Sequence, residues 1–234
     1  MAKQNRETNE TLVRIKADKA TIEGNLVLPK SPIGIVLFAH GSGSSRLSPR
    51  NQYVAKALNQ AGIATLLIDL LTKEEEEIDT RTGEFRFNIN LLAQRLTEAT
   101  KWIKAYSPVA SLPIGYFGAS TGAAAALIGA AELPEVVTVV VSRGGRPDLA
   151  MEYLPKVKAP VLLIVGGRDP IVINMNRDAA KLLSVETKLE IIPGASHLFE
   201  EPGKLERVAE LASDWFSKHF KKAKHVDREL EGFQ

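Results

Sequence analysis

Short runs of consecutive apolar residues alternate with longer amphipathic stretches along this chain from Gly34 onward. The runs VVTVVVS and VLLIVGG are apolar at successive positions and rich in β-branched residues, so both faces of these strands should be covered. Strands of this kind lie in parallel sheets that helices cover on each side. The alternation therefore predicts an α/β fold with a mostly parallel sheet and helices on both faces.

The segments before Gly34 have a different period. TLVRIKA and ATIEGNLVLP alternate polar and apolar residues around Asp18 and Lys19, which predicts an antiparallel hairpin at the start of the sheet. With the later runs, the sheet should have about eight strands in a three-layer sandwich, without a large lid domain. Because neither an internal repeat nor a linker is visible, we expect residues 1–220 to form one domain, followed by a charged tail at 221–234.

The segment Leu70–Asn88 carries four consecutive glutamates and no strand pattern. It is expected to be a surface excursion after the fourth strand. Acidic residues are favoured at the positive end of a helix, so a solvated helix start explains the glutamates without assigning them a function.

Composition excludes several classes of function. The chain has 234 residues, of which 44% are hydrophobic and 25% charged, and its net charge of +2 is too small to predict a nucleic-acid or membrane-surface partner. It contains no cysteine, which removes disulfides, thiolate metal sites and a thiol nucleophile. No apolar run reaches the roughly 20 residues that cross a bilayer, and a cytoplasmic location is expected.

A serine lies between a predicted strand and a predicted helix in the stretch GYFGASTGAAAA. The residues Gly118-Ala119-Ser120-Thr121-Gly122 match G-x-S-x-G, in which the serine occupies a sharp, strained strand-to-helix turn. The two glycines are needed because side chains at those positions would collide with the neighbouring backbone. The alternative is a structural turn, because so short a pattern also occurs by chance. The sequence context favours a nucleophile at the carboxyl edge of the sheet.

A serine nucleophile needs a base and a carboxylate that orients it. Of the four histidines, His197 in PGASHLFEE is the one that follows both Ser120 and a strand. Asp169 ends the buried run VLLIVGGRDP at the same sheet edge, whereas the rivals Asp148 and Asp178 lie in a turn and a helix-like segment. Taken singly, Asp169 could be a turn former and His197 a loop histidine. Their order after the serine, each behind a strand, predicts a catalytic triad.

Two backbone N–H groups are expected to form an oxyanion hole. Thr121 starts the helix after the serine, and its N–H lies at the positive helix end. Ser42 lies in the glycine-rich loop HGSGSS after the run GIVLFAH and is the expected second donor. The alternative for this loop is a flexible connection without a role.

Four arginines fall in or beside loops at this edge: Arg46, Arg143, Arg146 and Arg168. Guanidinium groups suit planar anions, so these residues are candidates for binding a carboxylate or phosphate on the substrate. Solvated arginines or ion pairs with acidic residues are the alternative.

The motifs FAHGSG, GASTG, GGRDP and GASHLF together resemble the α/β-hydrolase superfamily, and within it the dienelactone hydrolase-like family. The resemblance covers nearly the whole chain and implies that Ser120 is the nucleophile, His197 the base and Asp169 its carboxylate, with Thr121 and Ser42 at the oxyanion hole. Dienelactone hydrolase itself uses a cysteine, so the serine here makes an esterase or thioesterase the expected activity.

The segments LLTKEEEE and SRGGRPDLA resemble bacterial members of this family that are often joined to a phosphoribosyltransferase-like domain. The present sequence is expected to hold the hydrolase domain alone.

The expected function is therefore cleavage of a small ester-type substrate through an acyl-enzyme intermediate. The mechanism needs neither a metal nor an organic cofactor. A thioesterase, a lactonase or an acyltransferase would use the same residues, and a non-catalytic ligand-binding module would keep the same fold. The protein is expected to be a monomer or a homodimer.

Overall fold

The computed structural model describes residues 10–231, and the side chains of residues 10–225. In this part of the chain, eight strands form one sheet. They are β1 (Glu10–Ala17), β2 (Ala20–Val27), β3 (Ile35–Ala39), β4 (Ala64–Ile68), β5 (Ile114–Ala119), β6 (Val137–Arg143), β7 (Val161–Gly166) and β8 (Thr187–Ile192). Their order across the sheet is β1-β2-β4-β3-β5-β6-β7-β8. β1, β2 and β4 are joined by antiparallel pairing, and every other pair is parallel. The predicted hairpin and mostly parallel sheet are confirmed.

Within residues 10–231, six α-helices lie between the strands or after the last of them. They are α1 (Pro49–Gln60), α2 (Lys73–Thr82), α3 (Ile89–Ala105), α4 (Thr121–Glu132), α5 (Pro170–Leu182) and α6 (Lys204–Glu231). Two short 3-10 helices, Pro147–Ala150 and Leu154–Lys156, lie between β6 and β7. The apolar residues of α1 and α6 pack on one face of the sheet, and those of α3, α4 and α5 pack on the other. The predicted three layers are therefore present.

The acidic segment after β4 is an ordered helix and loop. Thr72 caps α2, because its hydroxyl accepts the N–H of Glu75 while the Glu75 carboxylate accepts the N–H of Thr72. Glu75 also pairs at 2.7 Å with Arg95, whose side chain is buried in α3. The helix thus follows β4 as expected, and its first turn is fixed to the body of the domain.

The last helix extends into the segment for which a tail is expected. α6 runs without interruption to Glu231, and Lys224 donates a hydrogen bond from Nζ to the carbonyl of Pro32. Phe216 and Phe220, one turn apart, are fully buried against the sheet and hold the central part of the helix. Residues 232–234 of the expected tail lie outside the described residues, and the division of the chain at residue 220 stays a prediction.

Candidate active site

Ser120 lies in a strained turn between β5 and α4. Its backbone dihedrals are φ 51° and ψ −119°, although only glycine adopts positive φ readily. Such a conformation costs about 1–3 kcal/mol and persists only where the surrounding structure fixes it. The Ser120 N–H donates to the carbonyl of Arg143 on β6, and the Ser120 carbonyl accepts the N–H groups of Ala123 and Arg146. Three backbone hydrogen bonds, to Arg143, Ala123 and Arg146, therefore hold the strained conformation.

The glycines on either side of Ser120 are required by close backbone contact. A Cβ atom on Gly122 would lie 2.2 Å from the carbonyl oxygen of Ala39 at the end of β3. A Cβ atom on Gly118 would lie 2.4 Å from Cα of Ala123 in α4. Helix α4 therefore crosses the sheet so closely that neither position has room for a side chain, which is the reason inferred from the sequence.

Asp169 and His197 are joined by a hydrogen bond. Nδ1 of His197 lies 2.7 Å from Oδ2 of Asp169, and the histidine side chain is 38% exposed whereas the aspartate side chain is 17% exposed. The imidazole lies over Gly144, because a Cβ atom there would be 3.4 Å from Cε1 of His197. Gly144 directly follows Arg143, whose carbonyl accepts the Ser120 N–H at 3.2 Å. The imidazole thus lies beside the strand that borders the serine.

The rival carboxylates have other partners. Asp148 forms two hydrogen bonds with the guanidinium of Arg146, at 2.9 and 2.7 Å. Asp178 pairs with Lys181 on the exposed side of α5. Of the candidate acids, Asp169 is the one that contacts His197. The Ser120 hydroxyl makes no hydrogen bond within the described part of the chain.

His40 has a structural position. Its Nε2 accepts the Leu70 N–H at 3.0 Å, so the ring carries its proton on Nδ1, which donates to the carbonyl of Gly41 at 3.0 Å. Burial lowers the pKa of His40 and keeps the ring neutral. The ring connects the loop after β3 to the loop after β4 and so fixes the path of the expected oxyanion loop.

The loop after β3 lies against the turn at Ser120. A Cβ atom on Gly41 would be 3.1 Å from Cβ of Ser120, and Ser42 Oγ lies 3.0 Å from Thr121 Oγ1. Both expected oxyanion donors therefore belong to residues that contact each other beside the serine. Thr121 starts a helix of 12 residues, whose N-terminus favours negative charge.

Three of the four candidate arginines are held by carboxylates: Arg46 by Asp69 and Glu23, Arg146 by Asp148, and Arg168 by Glu201. Arg143 differs, because its side chain is buried and has Asn51 Oδ1, at 3.3 Å, as a hydrogen-bond acceptor. Burial, followed by repulsion from Arg50, lowers the pKa of Arg143 to about 10. Binding of an anionic substrate by these arginines stays a prediction.

Glu201 is a site residue that the sequence analysis does not identify. Its two carboxylate oxygens accept the N–H of Ser196 at 3.1 and 3.0 Å, and it pairs with Arg168. Hydrogen bonding from the Ser196 N–H lowers the pKa of Glu201 to about 2. Ser196 precedes His197 and Arg168 precedes Asp169, so this carboxylate connects the two loops that carry the candidate acid and the candidate base. No motif in the sequence marks Glu201, because Glu201, Ser196 and Arg168 come into contact only in the folded protein.

For the triad expected from the sequence, replacing Glu201 by glutamine should lower kcat about tenfold with little change in KM, because it loosens the loop that carries His197. The matched control is Glu200→Gln, since Glu200 is exposed and pairs with Arg50. Steady-state kinetics on one activated ester compare the two variants. Equal kcat in both would show that Glu201 does not orient the histidine.

The pKa of Glu201 also links the stability of the fold to pH. Because this pKa is lower in the folded protein than in the unfolded chain, ionised Glu201 stabilises the fold above its ordinary pKa of 4.5, and this stabilisation is lost as pH falls towards 2.

The described residues contain neither a candidate metal site nor a membrane span. Among the described side chains, those of residues 10–225, no group of three or more histidine, aspartate or glutamate residues could hold a metal ion. No helix in the same part of the chain is long and apolar enough to cross a membrane.

Comparison with known proteins places the chain in a family. The profile of the Dienelactone hydrolase family matches residues 22–226. The crystal structure of a dienelactone hydrolase from Anabaena variabilis superposes with a TM-score of 0.90 at 60% identity, covering 91% of this chain and 99% of that one. An α/β serine hydrolase without a lid from Xanthomonas campestris superposes with a TM-score of 0.73 at 19% identity, covering 90% and 95% of the two chains, and supports the fold alone.

A Mycobacterium tuberculosis protein named "Putative phosphoribosyl transferase" is 55% identical over 207 residues, which are 88% of this chain. The match spans 46% of that protein, so this chain corresponds to less than half the length of the curated relative. The family match covers most of the present sequence, and the sheet order and helix layers are those of an α/β hydrolase. The chain therefore belongs to the dienelactone hydrolase family.

Proposed function

We propose that this protein is a serine hydrolase that cleaves ester bonds with Ser120, His197 and Asp169 as its catalytic triad. The observation that carries the proposal is the 2.7 Å hydrogen bond between His197 Nδ1 and Asp169 Oδ2, at the sheet edge where Ser120 occupies its strained turn. An aspartate bonded to Nδ1 holds the imidazole in the tautomer whose Nε2 can accept a proton.

In the first step, Ser120 Oγ attacks the ester carbonyl carbon while its proton passes to His197 Nε2. The negative charge that develops on the carbonyl oxygen is stabilised by the N–H groups of Thr121 and Ser42. The carbon–oxygen bond to the alcohol then breaks, and the alcohol leaves with the proton from His197. The acyl group remains on the serine.

In the second step, His197 takes a proton from water, and the hydroxide attacks the acyl-enzyme carbonyl. The carboxylic acid leaves, and Ser120 regains its proton from His197. The serine hydroxyl makes no hydrogen bond within the described residues, so substrate binding must bring it into line with the imidazole. Catalytic hydrogen bonds often form only in the complex with substrate.

The same residues could act on a thioester or a lactone, or transfer the acyl group to another acceptor, because these reactions differ only in the leaving group or the acceptor. The name of the Mycobacterium tuberculosis relative suggests phosphoribosyl transfer, but this chain matches 46% of that protein. A serine in a nucleophile turn with an oriented histidine supports acyl transfer for the matched region. We propose hydrolysis of oxygen esters as the primary activity.

A fluorophosphonate probe should label this protein at Ser120. Such probes react with a serine that a neighbouring base activates, whereas a binding module of the same fold would not activate its serine. Labelling is measured by mass spectrometry of the intact protein and of its peptides. The expected result is a single adduct on the peptide that contains Ser120.

The control is the Ser120→Ala variant, which should take up no probe under the same conditions. Labelling of this variant would place the reactive serine elsewhere in the chain. A wild-type protein that remains unlabelled, although correctly folded by circular dichroism, would favour the non-catalytic binding module and contradict the proposal.

A further inference from the structure

We propose that the cavity between the expected oxyanion loop and helix α2 receives a cationic group of the substrate, with Glu76 as the opposite charge. The proposal rests on the function proposed above and names the charge of the substrate. It differs from the arginine-based prediction of an anionic substrate, and the two can be separated by experiment.

The cavity has a volume of about 310 Å³, which is enough for a branched ammonium group. Residues from two parts of the chain line it. These are His40, Gly41, Ser42, Gly43 and Ser44 on one side and Leu71, Glu76, Asp79, Thr80, Arg86 and Leu92 on the other. The first set is the loop that also contacts the catalytic serine, so the cavity lies directly beside the proposed site of reaction.

The lining charges sum to a net negative value. His40 is neutral, because burial lowers its pKa and its Nε2 accepts the Leu70 N–H. Arg86 is bound to Asp79, with Nε 2.6 Å from Oδ2 and Nη2 2.7 Å from the Asp79 carbonyl. This pair is internally neutral. Glu76 therefore carries the uncompensated charge of the lining.

The Glu76 carboxylate has no partner among the described residues. The hydrogen bond recorded at Glu76 goes from the Thr80 hydroxyl to the Glu76 backbone carbonyl, so it leaves the side chain unused. Glu75 differs, because its carboxylate is bound to Arg95 and to the Thr72 N–H. A concave wall with one unpaired carboxylate attracts cations and disfavours carboxylates.

The position of the cavity determines which part of the substrate enters it. Ser42 lines the cavity, and its hydroxyl lies 3.0 Å from the Thr121 hydroxyl. When the N–H groups of these two residues bind the carbonyl oxygen of the ester, either the acyl group or the alcohol group of the ester faces α2. A charge on the group that faces α2 then lies near the carboxylate of Glu76.

The test compares kcat/KM for a choline ester with that for its neutral isostere, the 3,3-dimethylbutyl ester. The same comparison is made with the trimethylammonium group on the acyl group of the ester, because either the acyl group or the alcohol group can face α2. The Glu76→Gln variant should lower the cationic-to-neutral ratio about two- to fivefold on one of the two sides, as expected for an exposed charge pair. Differences in intrinsic reactivity cancel, since the same esters are used with both proteins.

Glu77→Gln is the matched control, because Glu77 is equally exposed on α2 but does not line the cavity. It should leave the ratio unchanged. Raising the ionic strength from 0.01 to 1 M shortens the screening length from about 30 to about 3 Å and should lower the wild-type ratio in the same direction as Glu76→Gln.

Equal ratios in the wild-type and Glu76→Gln proteins would overturn the inference while leaving the serine mechanism intact. A wild-type preference for a carboxylate-bearing ester would also overturn it and would favour the arginine-based prediction. If no ester is hydrolysed and no probe labels Ser120, the proposed function fails. The inference is then tested by calorimetric titration of the folded protein with choline and with 3,3-dimethylbutanol. Choline must bind more tightly than 3,3-dimethylbutanol to the wild-type protein, and the two affinities must become equal in the Glu76→Gln variant.

Discussion

Replacing Ser120 by alanine is expected to lower kcat/KM for an activated ester by about 10⁴-fold or more. The alanine cannot form the acyl-enzyme intermediate, and only the oxyanion donors and substrate binding remain. Replacing His197 by alanine should have a comparable effect, because the serine and its base act as one unit and their losses do not add. The measurement is initial-rate hydrolysis of a p-nitrophenyl ester for the two single variants and the double variant.

The Ser120→Ala variant should keep its fold. Ser120 is half-buried, and among the described residues its hydroxyl forms no hydrogen bond that would be lost. The change in the free energy of unfolding is therefore expected to stay within about 0.5 kcal/mol. A folded Ser120→Ala protein with the turnover of the wild type would refute the triad. A double variant far less active than either single variant would show that the serine and the histidine work independently.

The sheet could be predicted from sequence because its strands follow local rules. The run VVTVVVS corresponds to β6 and VLLIVGG to β7, where burial on both faces requires apolar residues at successive positions. The nucleophile turn could be predicted for the same reason, since the two glycines and the serine are adjacent in the chain. The start of helix α2 is also marked in the sequence by the capping pair Thr72 and Glu75. Glu75 is one of four consecutive glutamates, so the sequence does not single it out as the capping residue.

Other features depend on residues that meet only in the fold. The four arginines lie at or after strand ends in the sequence, but what each guanidinium binds depends on the fold, as the pairing of Arg46 with Asp69 shows. Glu201 has no motif, because its role follows from its contacts with Ser196 and Arg168. The cavity beside Ser42 likewise forms between residues 40–44 and residues 71–92, so its charge could not be derived from either segment alone.

Replacing Gly122 by alanine is expected to destabilise the protein by about 3 kcal/mol, as overpacking at a rigid contact does. The added Cβ would lie 2.2 Å from the carbonyl oxygen of Ala39 and 2.4 Å from that of His40. These carbonyls belong to β3 and the loop that follows it, and β3 is fixed by parallel pairing with strands on both sides. Helix α4 must therefore move away from the sheet. Helix propensity alone predicts the opposite sign, a gain of about 1 kcal/mol for alanine over glycine.

Gly129 provides the matched control, because it is buried in the same helix and a Cβ atom there would meet the edge of the Tyr116 ring at 3.2 Å instead of a backbone carbonyl. The Gly129→Ala variant should change stability by about 1 kcal/mol or less, since a side chain can yield where a strand cannot. Urea unfolding of both variants measures the difference in their free energies of unfolding from the unfolding midpoints at constant m value.

The Gly122→Ala substitution should also affect activity. Because α4 carries the Thr121 N–H and forms one side of the Ser120 turn, Gly122→Ala should lower kcat/KM in the protein that remains folded. Equal stabilities of the two variants would mean that close contact between α4 and β3 does not hold the nucleophile turn.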